Sequence, residues 1–212
     1  MESCCRLGAE LVKKDNVLFE TDNFFGVPTI GPIGIEGYLL LCSKEHYIGI
    51  GGVPEEHRSE LEDVLKMTRD LLSDFYGSEV LVFEHGPRVG CHKGGGCLDH
   101  AHLHIVPVSV NLMEPLVLQF LKALAINDYY KLERTEGFER LTQIVEDKKV
   151  SYLFVETADR RRFTTEVNFV IPSQYLRQII ASQLGRLGDY DWRLVPDHET
   201  FNRTVENLKG RF

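Results

Sequence analysis

Short apolar segments separated by turn residues predict a set of β-strands in the first half of the chain. Within them, apolar residues run continuously or alternate with polar ones, which is typical of strands buried on one or both faces. Turn-forming residues at 21–23, Gly34 and Gly37 separate the first three segments. The predicted strands cover residues 16–20, 24–29, 38–42, 79–84 and 100–108.

One long amphipathic helix is predicted between the third and fourth of these strands. Pro54 stands where the first turn tolerates proline, Glu55 and Glu56 favour the positive end of the helix, and Gly77 ends it. Strands, a single long helix and two further strands predict an antiparallel α+β fold. The apolar stripe of the helix recurs at helical spacing and consists of Leu61, Val64, Leu65, Leu71, Leu72 and Phe75.

The second half of the chain predicts more helices and a β-hairpin, with no internal repeat and no low-complexity linker. We therefore divide the chain into an α+β domain over 1–112 and a C-terminal α+β extension over 113–212, packed on the first. Beyond Pro115, helices are predicted over 116–126 and 137–145, hairpin strands over 151–157 and 162–170, and a last helix over 199–208. Ser173 is predicted to cap a helix whose inward face is Leu176, Ile179, Ile180 and Leu184.

Composition and charge narrow the class of protein. The 212 residues are 43% hydrophobic and 26% charged, which is ordinary for a folded globular protein. A net charge of −8 makes nucleic acid an improbable partner, and no apolar run is long enough to span a membrane. The odd number of cysteines favours reduced thiols and a cytoplasmic location; they are Cys4, Cys5, Cys42, Cys91 and Cys97.

Three histidines carry the strongest chemical signal in the chain. His100, His102 and His104 alternate with apolar residues inside one predicted strand, so their rings share one face. Ala101, Leu103 and Ile105 then point to the opposite face. The glycine-rich segment 93–97 precedes the strand, and its bare backbone can approach an anion closely.

Three interpretations of these histidines are open. They could be solvent-facing polar residues without further meaning. They could be ligands of a zinc ion that activates water, with Cys91, His92 and Cys97 as additional donors. They could also perform covalent catalysis at phosphorus, because neutral imidazole is a good nucleophile near pH 7. In that case His102 attacks, its neighbours orient it and assist the leaving group, and the glycine loop holds the phosphate oxygens.

The segment from His100 to Val106 resembles the His-x-His-x-His signature of the histidine triad (HIT) superfamily of nucleotide hydrolases and transferases. Residues 37–46 resemble the strand and turn before that family's long helix. Residues 84–86 and 95–97 resemble its pocket-lining strand end and its phosphate loop. The resemblance implies an α+β HIT fold, often dimeric, and attack on the α-phosphate of a nucleotide to form a nucleotidyl-histidine.

The resemblance also assigns roles to residues of this chain. His102 matches the nucleophile, His104 the residue on the leaving-group side, and His100 the histidine that supports the nucleophile. The phosphate and nucleotide contacts that it implies are Gly95, Gly96, Cys97, Tyr38 and Glu84.

Two positions depart from the family's pattern. Members usually carry a fourth histidine where this chain has Tyr38, which can donate a hydrogen bond to phosphate but cannot shuttle protons as imidazole does near pH 7. Members also often place an Asp against the ribose in the segment that is here 24–33, where only Thr29 stands. Two interpretations follow: the nucleoside is held differently, or the substrate is not a plain adenosine nucleotide.

The sequence thus predicts an enzyme that acts at the α-phosphate of a dinucleoside polyphosphate, a nucleoside phosphoramidate or a nucleotide-activated metabolite. The covalent step requires no metal, although Mg²⁺ could accompany a polyphosphate substrate. The partner is a nucleotide or nucleotide conjugate, and a homodimer is the assembly that the resemblance implies. The alternatives are a zinc-dependent hydrolase and a non-catalytic nucleotide-binding protein.

Overall fold

A single antiparallel sheet of eight strands organises the computed structural model, which describes residues 13, 15–87, 100–125, 133–135, 137–167 and 170–212. The strand order is β1-β2-β3-β5-β4-β7-β8-β6, and every neighbouring pair is antiparallel. The α+β class predicted from the sequence is confirmed. The strands are β1 Phe19–Glu20, β2 Phe24–Pro28, β3 Leu39–Ser43, β4 Glu79–Gly86, β5 His102–Val108, β6 Glu133–Thr135, β7 Ser151–Glu156 and β8 Arg162–Val167.

The second half of the chain continues the sheet of the first half. Strand β7 pairs with β4 over residues 82–86, and β8 and β6 follow outward from β7. The boundary predicted at residue 112 falls inside a helix that begins at Val110. The division into two units stays a prediction, but the hydrogen bonding of the sheet crosses it.

Among the described residues, five α-helices pack on this sheet: α1 Glu55–Tyr76, α2 Val110–Leu124, α3 Glu139–Gln143, α4 Tyr175–Gln183 and α5 His198–Leu208. Helix α1 agrees with its prediction, since it begins directly after Pro54 and ends at Gly77, which adopts a left-handed conformation with φ 58°. A single π-helical turn, Ile144–Lys148, follows α3.

Two local predictions are wrong, and one strand was not predicted. Helix α2 begins six residues before the predicted start at 116, so that Pro115 lies within the helix and not before it. The residue that precedes α4 is Gln174, in a left-handed conformation and without a side-chain capping bond, so Ser173 is not the cap. Strand β6 was not expected, because three residues are too few for a periodic signal.

Helices cover both faces of the sheet. Helix α1 packs on one face, where it meets Leu103 and Ile105 of β5 and the preceding Ala101 through a shared apolar cluster. The opposite face carries the histidines of β5, so the predicted alternation along this strand is confirmed. That face is covered by apolar residues of α2 and α4, among them Leu116, Phe120, Leu176 and Ile180. In the part of the chain that the structure describes, no helix is both long and apolar enough to cross a membrane.

A charge network ties α1 to the hairpin of β7 and β8. Glu156 is 2% exposed, and its two oxygens accept hydrogen bonds from Arg69 of α1 and from Arg162 of β8. Arg162 also donates to both oxygens of Glu62, at 2.5 and 2.6 Å. Arg69 also donates hydrogen bonds to the carbonyl oxygens of Thr157 and Ala158. The helix and the hairpin are therefore joined by a network centred on one buried carboxylate.

Helix α5 depends on its capping residue. The side chain of Asp197 accepts a hydrogen bond from the backbone N–H of Thr200 at 3.0 Å, which satisfies a donor of the first turn. We expect Asp197→Ala to lower the free energy of unfolding by about 1 kcal/mol, measured by chemical denaturation, while Asp197→Asn loses less. Equal losses in the two variants would show that capping is not the cause.

Candidate active site

The pairing of β5 with its two neighbours gathers the residues of the site. His102 lies opposite Cys42 of β3, and His104 lies between Leu40 of β3 and Phe83 of β4. The ring of His104 stacks on Phe83, with centroids 4.5 Å apart and planes 8° from parallel. The rings of His102 and His104 are 4.9 Å apart, centroid to centroid. The structure thus brings two of the predicted catalytic residues into one buried cluster.

His102 is held in the state that a nucleophile requires. Its Nδ1 atom lies 2.7 Å from the backbone carbonyl oxygen of His100. Because a carbonyl only accepts, Nδ1 carries the hydrogen, and the lone pair of the neutral ring is on Nε2. The side chain is 4% exposed, and this burial lowers its pKa to about 4. At neutral pH the ring is therefore uncharged, with Nε2 unprotonated.

His104 is fixed by a different partner. The hydroxyl of Tyr38 lies 2.9 Å from its Nδ1 atom. Burial lowers the pKa of His104 well below the ordinary value, and the nearby Arg177 cation lowers it further. His104 is accordingly neutral, and its protonation pattern depends on which atom supplies the hydrogen in the bond to Tyr38.

His100 links the triad to the end of β3. Its Nε2 atom donates to the carbonyl oxygen of Ser43 at 2.7 Å, and burial lowers its pKa. The backbone carbonyl of His100 also accepts the hydrogen bond from Nδ1 of His102. His100 therefore connects His102 to the end of β3. Among the residues described, no group of three His, Cys, Asp or Glu side chains is arranged to hold a metal ion. Cys91 and His92 lie outside those residues.

The structure places Tyr38 beside the triad and Glu84 on the opposite face of the sheet. The hydroxyl of Tyr38 is engaged by His104 and by Arg177 of α4, where the sequence predicted a phosphate contact. The carboxylate of Glu84 lies on the α1 side of the sheet, opposite the triad. There it accepts hydrogen bonds from the N–H of Ile50 at 2.8 Å and from the hydroxyl of Tyr152 at 2.5 Å.

His85 points to the triad in place of Glu84, because successive residues of a strand face opposite sides. Its ring lies 6.3 Å from that of His104, and its Nε2 atom accepts from the N–H of Leu176 at the start of α4. Gly95, Gly96 and Cys97, the predicted phosphate loop, lie outside the described residues.

Sequence reasoning missed Arg177. This arginine is 1% exposed and reaches from α4 into the cluster, 3.2 Å from the hydroxyl of Tyr38. An arginine next to the apolar positions of a predicted helix carries no sequence signal that its side chain is buried. Only the spatial proximity of α4 to β3 and β5 brings it to the histidines.

The burial of the Glu84 carboxyl can be tested by measuring the stability of the fold against pH. Burial raises its pKa to about 8, so between its unfolded value and pH 8 it is protonated in the folded protein and ionised in the unfolded chain. Folding stability is then lost as the pH rises through this window, at up to about 1.4 kcal/mol per unit. We expect the free energy of unfolding of wild-type protein to fall between pH 6.5 and 8, and Glu84→Gln to remove this decline. Parallel pH profiles of the wild-type protein and Glu84→Gln would contradict this prediction.

Neither a family model nor a curated protein matches the sequence. Solved structures that resemble the chain include histidine triad proteins. One is a hypothetical histidine triad nucleotide-binding protein from Sulfolobus tokodaii, with 21% identity and a TM-score of 0.39 over 45% of this chain and 61% of that one. A HIT family protein from Bacillus anthracis has 18% identity and a TM-score of 0.39 over 44% and 64%.

A third is a Hit-like protein involved in cell-cycle regulation from Bartonella henselae, with 14% identity and a TM-score of 0.38 over 45% of this chain and 67% of that chain. The match spans less than two thirds of the Sulfolobus and Bacillus proteins. At these TM-scores the likeness decides nothing about function, which has to be argued from the histidine cluster itself.

Proposed function

We propose that the protein is a nucleotide hydrolase or nucleotidyl transferase in which His102 attacks an α-phosphate. The observation that carries this proposal is the hydrogen bond from His102 Nδ1 to the carbonyl of His100, at 2.7 Å. It directs the lone pair to Nε2 of a neutral ring whose pKa is lowered to about 4. A ring already deprotonated at pH 7 can attack phosphorus without first losing a proton.

The chemistry proceeds in two displacements. Nε2 of His102 forms a bond to the α-phosphorus, and the bond from phosphorus to the leaving group breaks. Water or another acceptor then attacks the same phosphorus, and the bond to Nε2 breaks. Dinucleoside polyphosphates, nucleoside phosphoramidates and nucleotide-activated metabolites all offer such a phosphorus. Neither displacement requires a metal, and Mg²⁺ would serve only to neutralise a polyphosphate.

The covalent intermediate provides the direct test. Purified protein is incubated with AMP p-nitrophenyl ester, adenosine 5′-phosphoramidate and diadenosine tetraphosphate, then quenched at alkaline pH and examined by intact-protein mass spectrometry. We expect a nucleotidyl adduct in wild-type protein and none in His102→Ala. Since His102 is 4% exposed, adduct formation also shows that nucleotide reaches the ring. Binding without adduct or turnover would favour a non-catalytic nucleotide-binding protein.

A zinc-dependent hydrolase remains the metal-based alternative. It requires near-stoichiometric metal in the purified protein and loss of turnover on chelation. Under the proposed mechanism, turnover of the phosphoramidate persists after exhaustive dialysis against chelator. Loss of that turnover, restored by zinc, would overturn the covalent proposal.

A further inference from the structure

A cavity of about 540 Å³ lies on the face of the sheet that carries α1, opposite the histidines. Its walls include Ile48, between β3 and α1, Val145 of the π-helical turn, and Val150, directly before β7. Val145 and Val150 pack against the apolar cluster of the α1 face. Small-molecule sites enclose about 300–1,000 Å³. The cavity is therefore large enough for a ligand of its own, separate from the histidine cluster.

One wall of the cavity is held in place by two buried side chains. The N–H of Ile50 donates to the carboxyl of Glu84 at 2.8 Å. The N–H of Gly51 donates to the hydroxyl of Tyr152 at 3.0 Å. A carbon added at Gly49 would lie only 3.0 Å from the Tyr152 hydroxyl and 3.2 Å from Glu84 Oε1, so the backbone of this wall packs directly on both. The wall is thus formed before any ligand binds, which lowers the cost of binding.

Gly49 contributes an unused hydrogen-bond donor to this wall. The residue is buried and lines the cavity, and its N–H forms no hydrogen bond with any described residue. Buried N–H groups without a partner are rare in folded proteins, because each has lost its bond to water. Gly49 therefore offers its donor to an acceptor atom that the described part of the chain does not supply.

Lys149 adds a positive charge to the lining of the cavity. It follows the π-helical turn in a left-handed conformation with φ 50°, which is uncommon outside glycine, and such turns occur often at functional sites. Within the described ranges its ammonium forms no ion pair, whereas the preceding Lys148 pairs with Glu166 at 2.5 Å. A cation and an N–H donor suit a carboxylate. Glu146 also lines the cavity and disfavours a second negative charge.

We propose that this cavity binds a small monocarboxylic acid with an apolar body. The carboxylate accepts from Lys149 and from the N–H of Gly49, and the apolar body lies against Ile48, Val145 and Val150. The inference is independent of the nucleotidyl chemistry, because the cavity and the histidines lie on opposite faces of the sheet.

The probe is 3-phenylpropionate, followed in ¹H–¹⁵N spectra of the wild-type protein. Three compounds with the same body vary the charge: neutral 3-phenylpropanamide, cationic 3-phenylpropylamine and dianionic benzylmalonate. We expect 3-phenylpropionate to shift the amide signal of Gly49 in a saturable way. The neutral amide should bind about tenfold more weakly, since it lacks the charge-assisted hydrogen bond, and the amine and the dianion should also bind more weakly than the acid. Equal affinities for acid and amide, or no saturable shift at Gly49, would overturn the proposal.

Two neighbouring lysines provide a matched pair of variants. Lys149→Met and Lys148→Met remove the same charge from adjacent positions, but only Lys149 lines the cavity. We expect Lys149→Met to weaken binding of 3-phenylpropionate about fivefold and Lys148→Met to change it less than about twofold. Glu146→Gln should raise the affinity for benzylmalonate more than that for 3-phenylpropionate. Equal losses in the two lysine variants would reveal only a general attraction for anions and would contradict the site.

His102→Ala separates this site from the proposed function. The variant should bind 3-phenylpropionate as the wild-type protein does, because the triad is on the other face of the sheet. Loss of binding in His102→Ala would place the acid at the histidines and overturn the inference. Wild-type protein that turns over no nucleotide would count against the proposed function alone, and the shift of the Gly49 signal would still decide the inference.

Discussion

Turnover by His102→Ala is expected to fall by about 10⁴-fold or more, because removal of an attacking nucleophile leaves only the residual effect of binding and positioning. The loss should appear in the rate of adduct formation, and the affinity for nucleotide should change little, since the substitution removes no charge from a ring that is neutral at pH 7. Single-turnover kinetics measures the first quantity and calorimetry the second.

The matched control for this substitution is His57→Ala. His57 lies on α1, which packs on the sheet face opposite the triad. We expect it to keep wild-type turnover. Substantial turnover by His102→Ala would identify another group as the nucleophile, and His85 would then be the first candidate because its ring faces the same cluster.

The largest effect on stability is expected from Glu156→Gln. This substitution leaves Arg69 and Arg162, whose side chains are 7% and 12% exposed, without the carboxylate that joins them. Breaking a buried pair in this way costs about 3–5 kcal/mol, because an uncompensated charge stays in the interior. Chemical denaturation measures the change.

Asp70→Asn provides the contrast. Asp70 also pairs with two cations, Lys66 and Arg160, but all three side chains are about half exposed. Solvent-exposed pairs contribute about 0–1 kcal/mol. Losses of similar size in the two variants would show that burial does not govern the strength of the Glu156 network.

The parts of the fold that could be predicted are those with a local signal. Helix α1 has an apolar stripe, a proline at its start and a glycine at its end, and all of them agree with the structure. The alternation in β5 places the histidines on one face because the strand period is two. The start of α2 was predicted wrongly because Pro115 was interpreted as a boundary. Proline is also tolerated near the start of a helix, and α2 begins only five residues before Pro115.

The parts that could not be predicted depend on contacts between distant segments. Strand β4 is buried on both faces, so its sequence does not show which of Glu84 and His85 faces the triad. Register decides it, since Phe83 pairs with His104 and its neighbours alternate from there. Arg177 is polar beside an apolar stripe, and only the approach of Tyr38, Gly31 and Tyr190 explains its burial.

The position of β7 has a consequence for self-association. Because β7 hydrogen-bonds to the outer side of β4, the described sheet terminates at β1 and β6, which have two and three residues. Within the described residues, a second copy that joined by strand addition at β1 or β6 would pair with a strand of only two or three residues. A homodimer formed by strand addition at either of these two strands would therefore share few backbone hydrogen bonds between subunits.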